Sequence, residues 1–271
     1  MHAHTIASDG VMTAQELIRY AIKKDLKGIA ITDHDTIDSL SEARKTVKEL
    51  PDFWLLPGIE LSTEVGPTEV HILGYDIDET DSKLKTLIIQ LKEARQDRAV
   101  KIIEKLNQLG IAITYDQVRK IAGQGIIGRL HIARALLELG TVQNAHEAFQ
   151  NYLNRGAPAY VKRYKLTPQE AIKLIHEIGG VSVLAHPALM KRDELIDELI
   201  GHELKGIEIY YPSHNYLDRT RYLKIAEKHQ LLITGGSDFH APPVRRIRDS
   251  DLGECTMPIG TIRAYFTQHN Q

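Results

Sequence analysis

Apolar and polar positions follow two different periods along this chain, and the places where one period gives way to the other mark its elements. Thr13-Ala14-Gln15-Glu16 has the Thr-x-x-Glu spacing of a capping box, and Leu17, Ile18, Ala21 and Ile22 follow on one helical face. The spacing predicts a helix leading into Gly28-Ile29-Ala30-Ile31-Thr32, an apolar run of the length and composition of a buried strand. A second amphipathic stretch near Leu40 to Leu50 precedes the extended run Phe53-Trp54-Leu55-Leu56, and the chain then reaches Pro57-Gly58-Ile59-Glu60. The turn signal Val65-Gly66-Pro67 comes before another strand, Glu69 to Tyr75, and so short a connection predicts an antiparallel hairpin. With the bend near Gly66, Glu60 and His71 fall at similar distances from it on neighbouring strands, where they can share a site.

From Ser82 to Arg155 helical periodicity takes over and no strand is predicted, which marks 82–155 as an inserted helical subdomain. Alternation resumes at Thr167-Pro168-Gln169-Glu170, an N-cap followed by Pro at the first helical position and a box Glu. Strands are predicted at Val181 to Ala185, Gly206 to Tyr210 and Leu231 to Thr234, separated by helices at 193–202 and 215–229. Repeated βα units predict an α/β fold with a parallel sheet or barrel, assembled from 1–81 and 156–271.

Composition narrows the function. A formal net charge of −2 provides no global field to draw in long duplex nucleic acid, so an anionic partner must be small and held locally. The single cysteine, Cys255, excludes an intramolecular disulfide and a thiolate zinc site, and it fits a reducing cytoplasm. No apolar run is long enough to suggest a membrane partner. The unusual feature is thirteen histidines against four phenylalanines and one tryptophan, which makes the placement of those histidines the informative question.

Ligand-type residues fall where apolar strands end: Asp33-His34-Asp35, Glu60, His186-Pro187, His214 and Ser237-Asp238-Phe239-His240. In an α/β barrel the C-terminal strand ends form one face, so residues distant in sequence meet there. His2-Ala3-His4 adds two imidazoles that point to one side of an extended chain and can hold one ion together.

With Ser8-Asp9-Gly10 after His-x-His, then Thr32-Asp33-His34-Asp35, Pro57-Gly58-Ile59-Glu60, the strand residue His71, Ala185-His186-Pro187 and Ser237-Asp238-Phe239-His240, the chain resembles the PHP (polymerase and histidinol phosphatase) family over essentially its whole length. The resemblance implies a distorted (β/α)7-type barrel whose helical insertion serves as a substrate cap. It implies three divalent cations, one on His2, His4, Glu60 and Asp238, a second on Asp9, His34 and His240, and a third on Glu60, His71 and His186. Imidazole and carboxylate ligands suit Mn²⁺, Fe²⁺ or Zn²⁺ alike. Three dications outweigh the charge of Asp9, Glu60 and Asp238, which favours phosphate and hydroxide, and the implied chemistry is phosphoester hydrolysis by metal-activated water.

Among the small stand-alone members that the chain resembles most, the implied substrates are nucleoside 3′,5′-bisphosphates or short 5′-phosphorylated RNA. Histidinol phosphate hydrolysis and a non-catalytic metal- or nucleotide-binding module are the alternatives, and the module reading would require missing ligands, whereas all nine positions are filled. The family's Arg-x-His motif is here Arg129-Leu130-His131. It implies that Arg129 clamps a second phosphate with its planar fork, while His131 binds phosphate or protonates the leaving oxygen. His214 is a further candidate for substrate contact.

The chain departs from the family pattern at three places. It begins Met1-His2 without the acidic residue and Leu that often precede His-x-His, Leu130 stands where Pro is frequent, and Ser39 where Gly is common. The first strand is therefore expected to be very short. Asp33 and Asp35 are placed either to orient the His34 ring or, for Asp35, to cap the next helix. Lys162-Arg163-Tyr164-Lys165 and Arg245, Arg246 and Arg248 are read as solvated loop charges.

Overall fold

The computed structural model describes residues 1–123, 127–162, 164–243 and 250–269; Arg163, Arg245, Arg246 and Arg248 lie outside them. Local signals place the first elements as expected. Thr13 Oγ accepts from Glu16 N at 3.2 Å and Glu16 Oε2 from Thr13 N at 2.9 Å, starting α1 (Ala14–Lys23), whose Leu17, Ile18 and Ala21 are fully buried. There follow β1 (Gly28–Ile31), α2 (Leu40–Val47), β2 (Trp54–Val65) and β3 (Thr68–Tyr75).

The chain divides into two compact units, Met1–Lys85 with Lys165–Gln271, and Thr86–Tyr164. The second is helical, with the greater part of α3 (Ser82–Gln108), then α4 (Tyr115–Ala122), α5 (Arg129–Glu138), α6 (Ala145–Ala148) and a π turn at Phe149–Leu153. Its own core gathers Ile102, Leu106, Val118, Ile132, Leu136 and Leu153.

The first unit continues through α7 (Pro168–Glu177), which starts with the capping box of Thr167 and Glu170, to β4 (Val181–Leu184). After a 3-10 turn at Pro187–Met190 come α8 (Glu194–Gly201), β5 (Gly206–Tyr210), α9 (Tyr216–His229), β6 (Leu232–Gly235) and α10 (Ile259–His269). The sheet order is β1-β2-β3-β4-β5-β6. β1 and β2 are parallel, as are β4, β5 and β6, but β3 runs antiparallel to both neighbours. The hairpin explains this: it reverses β3, and β4 then meets a strand running the other way.

The two edge strands of the sheet are joined through the N-terminal segment. Thr32 N, just past β1, donates to Ala3 O at 2.9 Å, while His4 N donates to Phe239 O at 2.8 Å and Phe239 N to His2 O at 3.3 Å. This curls the sheet into a half-barrel, in keeping with the distorted barrel that the family resemblance implies. The first strand is as short as expected, amounting to one parallel bridge between Ala3 and Phe239.

Candidate metal centre

The curled sheet carries its polar side chains to the strand ends from six directions. His2 and His4 flank Ala3, Asp9 lies in the loop that follows, His34 lies past β1, Glu60 and His71 lie within the hairpin, His186 follows β4, and Asp238 and His240 follow β6. All nine predicted ligands are brought together. In the hairpin Glu60 pairs with Leu73 and His71 with Ser62, so the two are offset by one diagonal step and the His71 ring reaches back to Glu60.

Glu60 is the hub. Its Oε2 lies 3.2 Å from His2 Nε2, 3.2 Å from His4 Nε2 and 3.0 Å from His34 Nδ1, and its Oε1 lies 2.9 Å from His71 Nδ1 and 3.2 Å from His186 Nε2. Asp238 Oδ1 adds contacts of 3.3 Å to His2 Nε2 and 3.0 Å to His4 Nε2. On the other side Asp9 approaches His240 at 3.2 Å, His4 at 3.7 Å and His34 at 3.8 Å. The donor atoms form three overlapping groups: His2, His4, Glu60 and Asp238; His4, Asp9, His34 and His240; and His34, Glu60 and His71.

These groups fit divalent cations. His2 Nε2, both ring nitrogens of His4, His34 Nδ1, Glu60 Oε2 and Asp238 Oδ1 are buried without a hydrogen-bond partner among the described residues, a costly arrangement unless something else satisfies them. Donors that each lie about 2.1 Å from a common ion are separated by about 3.0–3.4 Å. The first group spans that interval.

Protons are the competing occupants. Burial lowers the basicity of His4, but Asp238 and Glu60 outweigh it and push its pKa up to about 10; His2 is raised in the same way by Asp238, Glu60 and Glu208. Burial would raise Glu60 and Asp238, yet the surrounding imidazoles hold both well below the usual carboxylate range. Asp9 is likewise depressed, chiefly by His240 and His34 against burial, whereas burial lowers His71. The cluster favours ionised carboxylates and positive charge among them.

The supporting residues differ in part from expectation. Asp33 is spent on the N-terminal loop rather than on His34: it accepts from Thr5 N at 2.7 Å, Thr5 Oγ at 2.8 Å, Ser8 Oγ at 2.6 Å and the Ser39 hydroxyl. Ser39, in place of the common glycine, thus ties this loop down. Asp35 accepts from Ser62 N at 2.9 Å, and it lies too far ahead of α2 to be its N-cap, which is Ser39. Asp35, His186 and Asp238 all have positive φ without being glycine, so tertiary contacts hold the backbone in a disfavoured conformation at three strand ends.

Two residues of the site went unmarked in the sequence. Glu208, fully buried in β5, lies 3.2 Å from His2 Nδ1 and accepts from His186 N at 3.0 Å, and Tyr211 donates to Asp238 Oδ2 at 3.0 Å. The signal for Glu208 was present: an acidic residue inside the apolar run Gly206-Ile207-Glu208-Ile209-Tyr210 must find a partner. Gly236 is required beside them, because a Cβ there would stand 2.3 Å from His2 Cβ and 2.9 Å from Glu208 Oε1.

His214, Arg129 and His131 are not members of these donor groups. His214 is 3% exposed, donates from Nδ1 to Ile209 O at 2.9 Å, and has its ring 5.1 Å from that of Tyr211. In the second unit, Arg129 donates to Leu153 O at 3.3 Å and packs over Phe149, and His131 Nδ1 accepts from Gly128 N at 3.0 Å.

Comparison with known proteins agrees with this geometry. The pattern of the PHP domain matches residues 1–229. The chain is 34% identical over 250 residues to the 5′-3′ exoribonuclease Rnm of Escherichia coli K12, covering 89% of this chain and 85% of the relative. It is 33% identical over 250 residues to the 3′,5′-nucleoside bisphosphate phosphatase of Chromobacterium violaceum, covering 89% and 87%. A solved structure from Bifidobacterium adolescentis, described as a metal-dependent phosphoesterase, superposes with a TM-score of 0.84 at 32% identity over 98% of this chain and 94% of its own. The chain belongs to the PHP domain family.

Proposed function

We propose that the chain is a metal-dependent hydrolase of nucleotide phosphoesters, acting on nucleoside 3′,5′-bisphosphates, short 5′-phosphorylated RNA or both. The observation that carries this is the approach of one buried carboxylate, Glu60, to five imidazoles at 2.9–3.2 Å, where His2 Nε2, His4 Nε2, His34 Nδ1, Glu60 Oε2 and Asp238 Oδ1 converge without forming hydrogen bonds among the described residues. The names of the relatives in Escherichia coli and Chromobacterium violaceum support the substrate class.

The chain's own residues define the reaction site. His2, His4, Glu60 and Asp238 hold one divalent ion, Asp9, His34 and His240 a second, and His71 and His186 with Glu60 a third. Bound there, Mn²⁺, Fe²⁺ or Zn²⁺ supplies Lewis acidity and water activation. Tyr211 engages Asp238 Oδ2 and leaves Oδ1 facing His2 and His4. Asp33 fixes the loop that presents Asp9 by bonding Thr5 and Ser8. Arg129 is assigned to clamp a substrate phosphate with its planar fork, and His131 either to bind phosphate or to protonate the leaving oxygen. A cytoplasmic location belongs to the same proposal and rests on the free thiol of Cys255. Among the described residues no helix is long and apolar enough to cross a membrane.

The test is product-resolved hydrolysis with Mn²⁺, comparing a nucleoside 3′,5′-bisphosphate, a short 5′-phosphorylated RNA and histidinol phosphate. Turnover of either nucleotide is expected. Turnover of histidinol phosphate alone, or of none of the three, would overturn the proposal.

A further inference from the structure

β5 supplies no ligand to the cluster, yet it carries a fully buried carboxylate against it. Glu208 lies 3.2 and 3.3 Å from His2 Nδ1 through its two oxygens, and its Oε2 accepts from the backbone N–H of His186 at 3.0 Å. His2 comes from the N-terminal segment and His186 from the end of β4, so one side chain touches two predicted ligands brought from different strands.

We propose that Glu208 is a positioning residue that selects the metal-binding tautomer of His2 and pins the backbone of His186. This rests on the metal-centre reading above. Once His2 has given up a proton to an incoming ion its imidazole carries a single N–H, and a carboxylate facing Nδ1 accepts that N–H there. The lone pair of His2 is then on Nε2, the atom that lies 3.2 Å from Glu60 Oε2, 3.3 Å from Asp238 Oδ1 and has no hydrogen-bond partner. The second contact acts on geometry. His186 sits at φ 29° and ψ 59°, a conformation that non-glycine residues avoid, and the bond from its N–H to Glu208 is one of the contacts that hold it there. Its Nε2 is thereby kept 3.2 Å from Glu60 Oε1.

Glu208→Gln separates this role from mere packing, because glutamine has the same shape but one acceptor atom. If its oxygen accepts from His186 N, its NH₂ faces His2 Nδ1 and drives the ring proton to Nε2, where an ion should sit. If its oxygen accepts from His2, its NH₂ opposes the N–H of His186. Either arrangement disables one ligand.

The test is titration of the full chain with Mn²⁺ and Zn²⁺ against a chromophoric chelator, with elemental analysis and a thermal melt alongside. Glu208→Gln is expected to lose about 10–100-fold in affinity for the weakest-held ion, the usual effect of losing a partner behind a ligating histidine. Glu208→Asp keeps the acceptor-only chemistry and is expected to bind more tightly than Glu208→Gln. Wild-type and Glu208→Gln chains of equal affinity would overturn the positioning role alone. A wild-type chain that binds no ion would overturn the metal reading beneath it. Because Glu208→Gln can fail to fold, ¹⁵N spectra of the Zn²⁺-loaded wild-type chain provide a second check: the proton of His2 is expected on Nδ1, and finding it on Nε2 would refute the proposal.

Discussion

Replacing Glu60 by glutamine changes the site at the atom on which its geometry depends. Glu60 is fully buried, and its two oxygens divide five imidazoles between them, three on Oε2 and two on Oε1. A glutamine of the same shape turns an NH₂ toward one set or the other, presenting donors where ring lone pairs and cations converge, and it removes the negative charge. Loss of a group that only supports a ligand costs about 10–100-fold in metal affinity. Loss of the shared carboxylate is therefore expected to cost at least about 100-fold, or about 2.8 kcal/mol, at each ion that it contacts. Turnover at saturating Mn²⁺ is expected to fall by about 1,000-fold or more, since a weaker ion is also less well placed. The assays are chelator-competition titration and phosphate release, with the exposed Glu49→Gln as a control that leaves both unchanged. Ion affinity within about threefold of wild type in Glu60→Gln, together with turnover within about tenfold, would refute the reasoning.

Other outcomes follow from the same geometry. Gly236→Ala drives a methyl into His2 and is expected to destabilise the chain by about 1–3 kcal/mol in a thermal melt and to lower its ion stoichiometry. Because His2 and His4 are held protonated by Asp238 and Glu60, ion binding near pH 7 is expected to release at least two protons, read by calorimetry in buffers of different ionisation enthalpy. No release would contradict the assigned ligands. Burial would push the Asp251 carboxyl up, but Lys24 and Tyr20 outweigh it and hold it below the usual range, so its contribution is complete above the unfolded value near 3.9 and is lost as pH falls through the depressed one. Asp251→Asn should therefore lose about 0.5–1 kcal/mol at neutral pH, with a gap from wild type that closes below about pH 4 in acid melts.

Much of the candidate site was legible because ligand-type residues follow directly on apolar strands, strand ends in a barrel share a face, and the motifs resemble those of a known family. The hairpin and the capping boxes of Thr13 and Thr167 are set by contacts within a few residues, so local spacing reveals them. The antiparallel pairing of β3 with β4 is different: Gly74 meets Ser182 across the whole insertion, and no local period records that. The sequence marked Phe53 to Leu56 as extended before Pro57, whereas β2 runs on to Val65. Asp33 shows a second limit. Its place beside His34 in sequence suggests a shared task, but backbone geometry sends its carboxylate to Thr5, Ser8 and Ser39 instead. Glu208 shows the opposite case: its place in an apolar run signals a buried partner, but the partners themselves, His2 and His186, lie far away in sequence.

The most direct test of the metal centre is anomalous diffraction from crystals of the chain equilibrated with Mn²⁺. The expected result is strong anomalous peaks at three positions, one within coordination distance of His2, His4, Glu60 and Asp238, one of Asp9, His34 and His240, and one of Glu60, His71 and His186. Crystals that show Mn²⁺ elsewhere, or none at these side chains, would contradict the assignment.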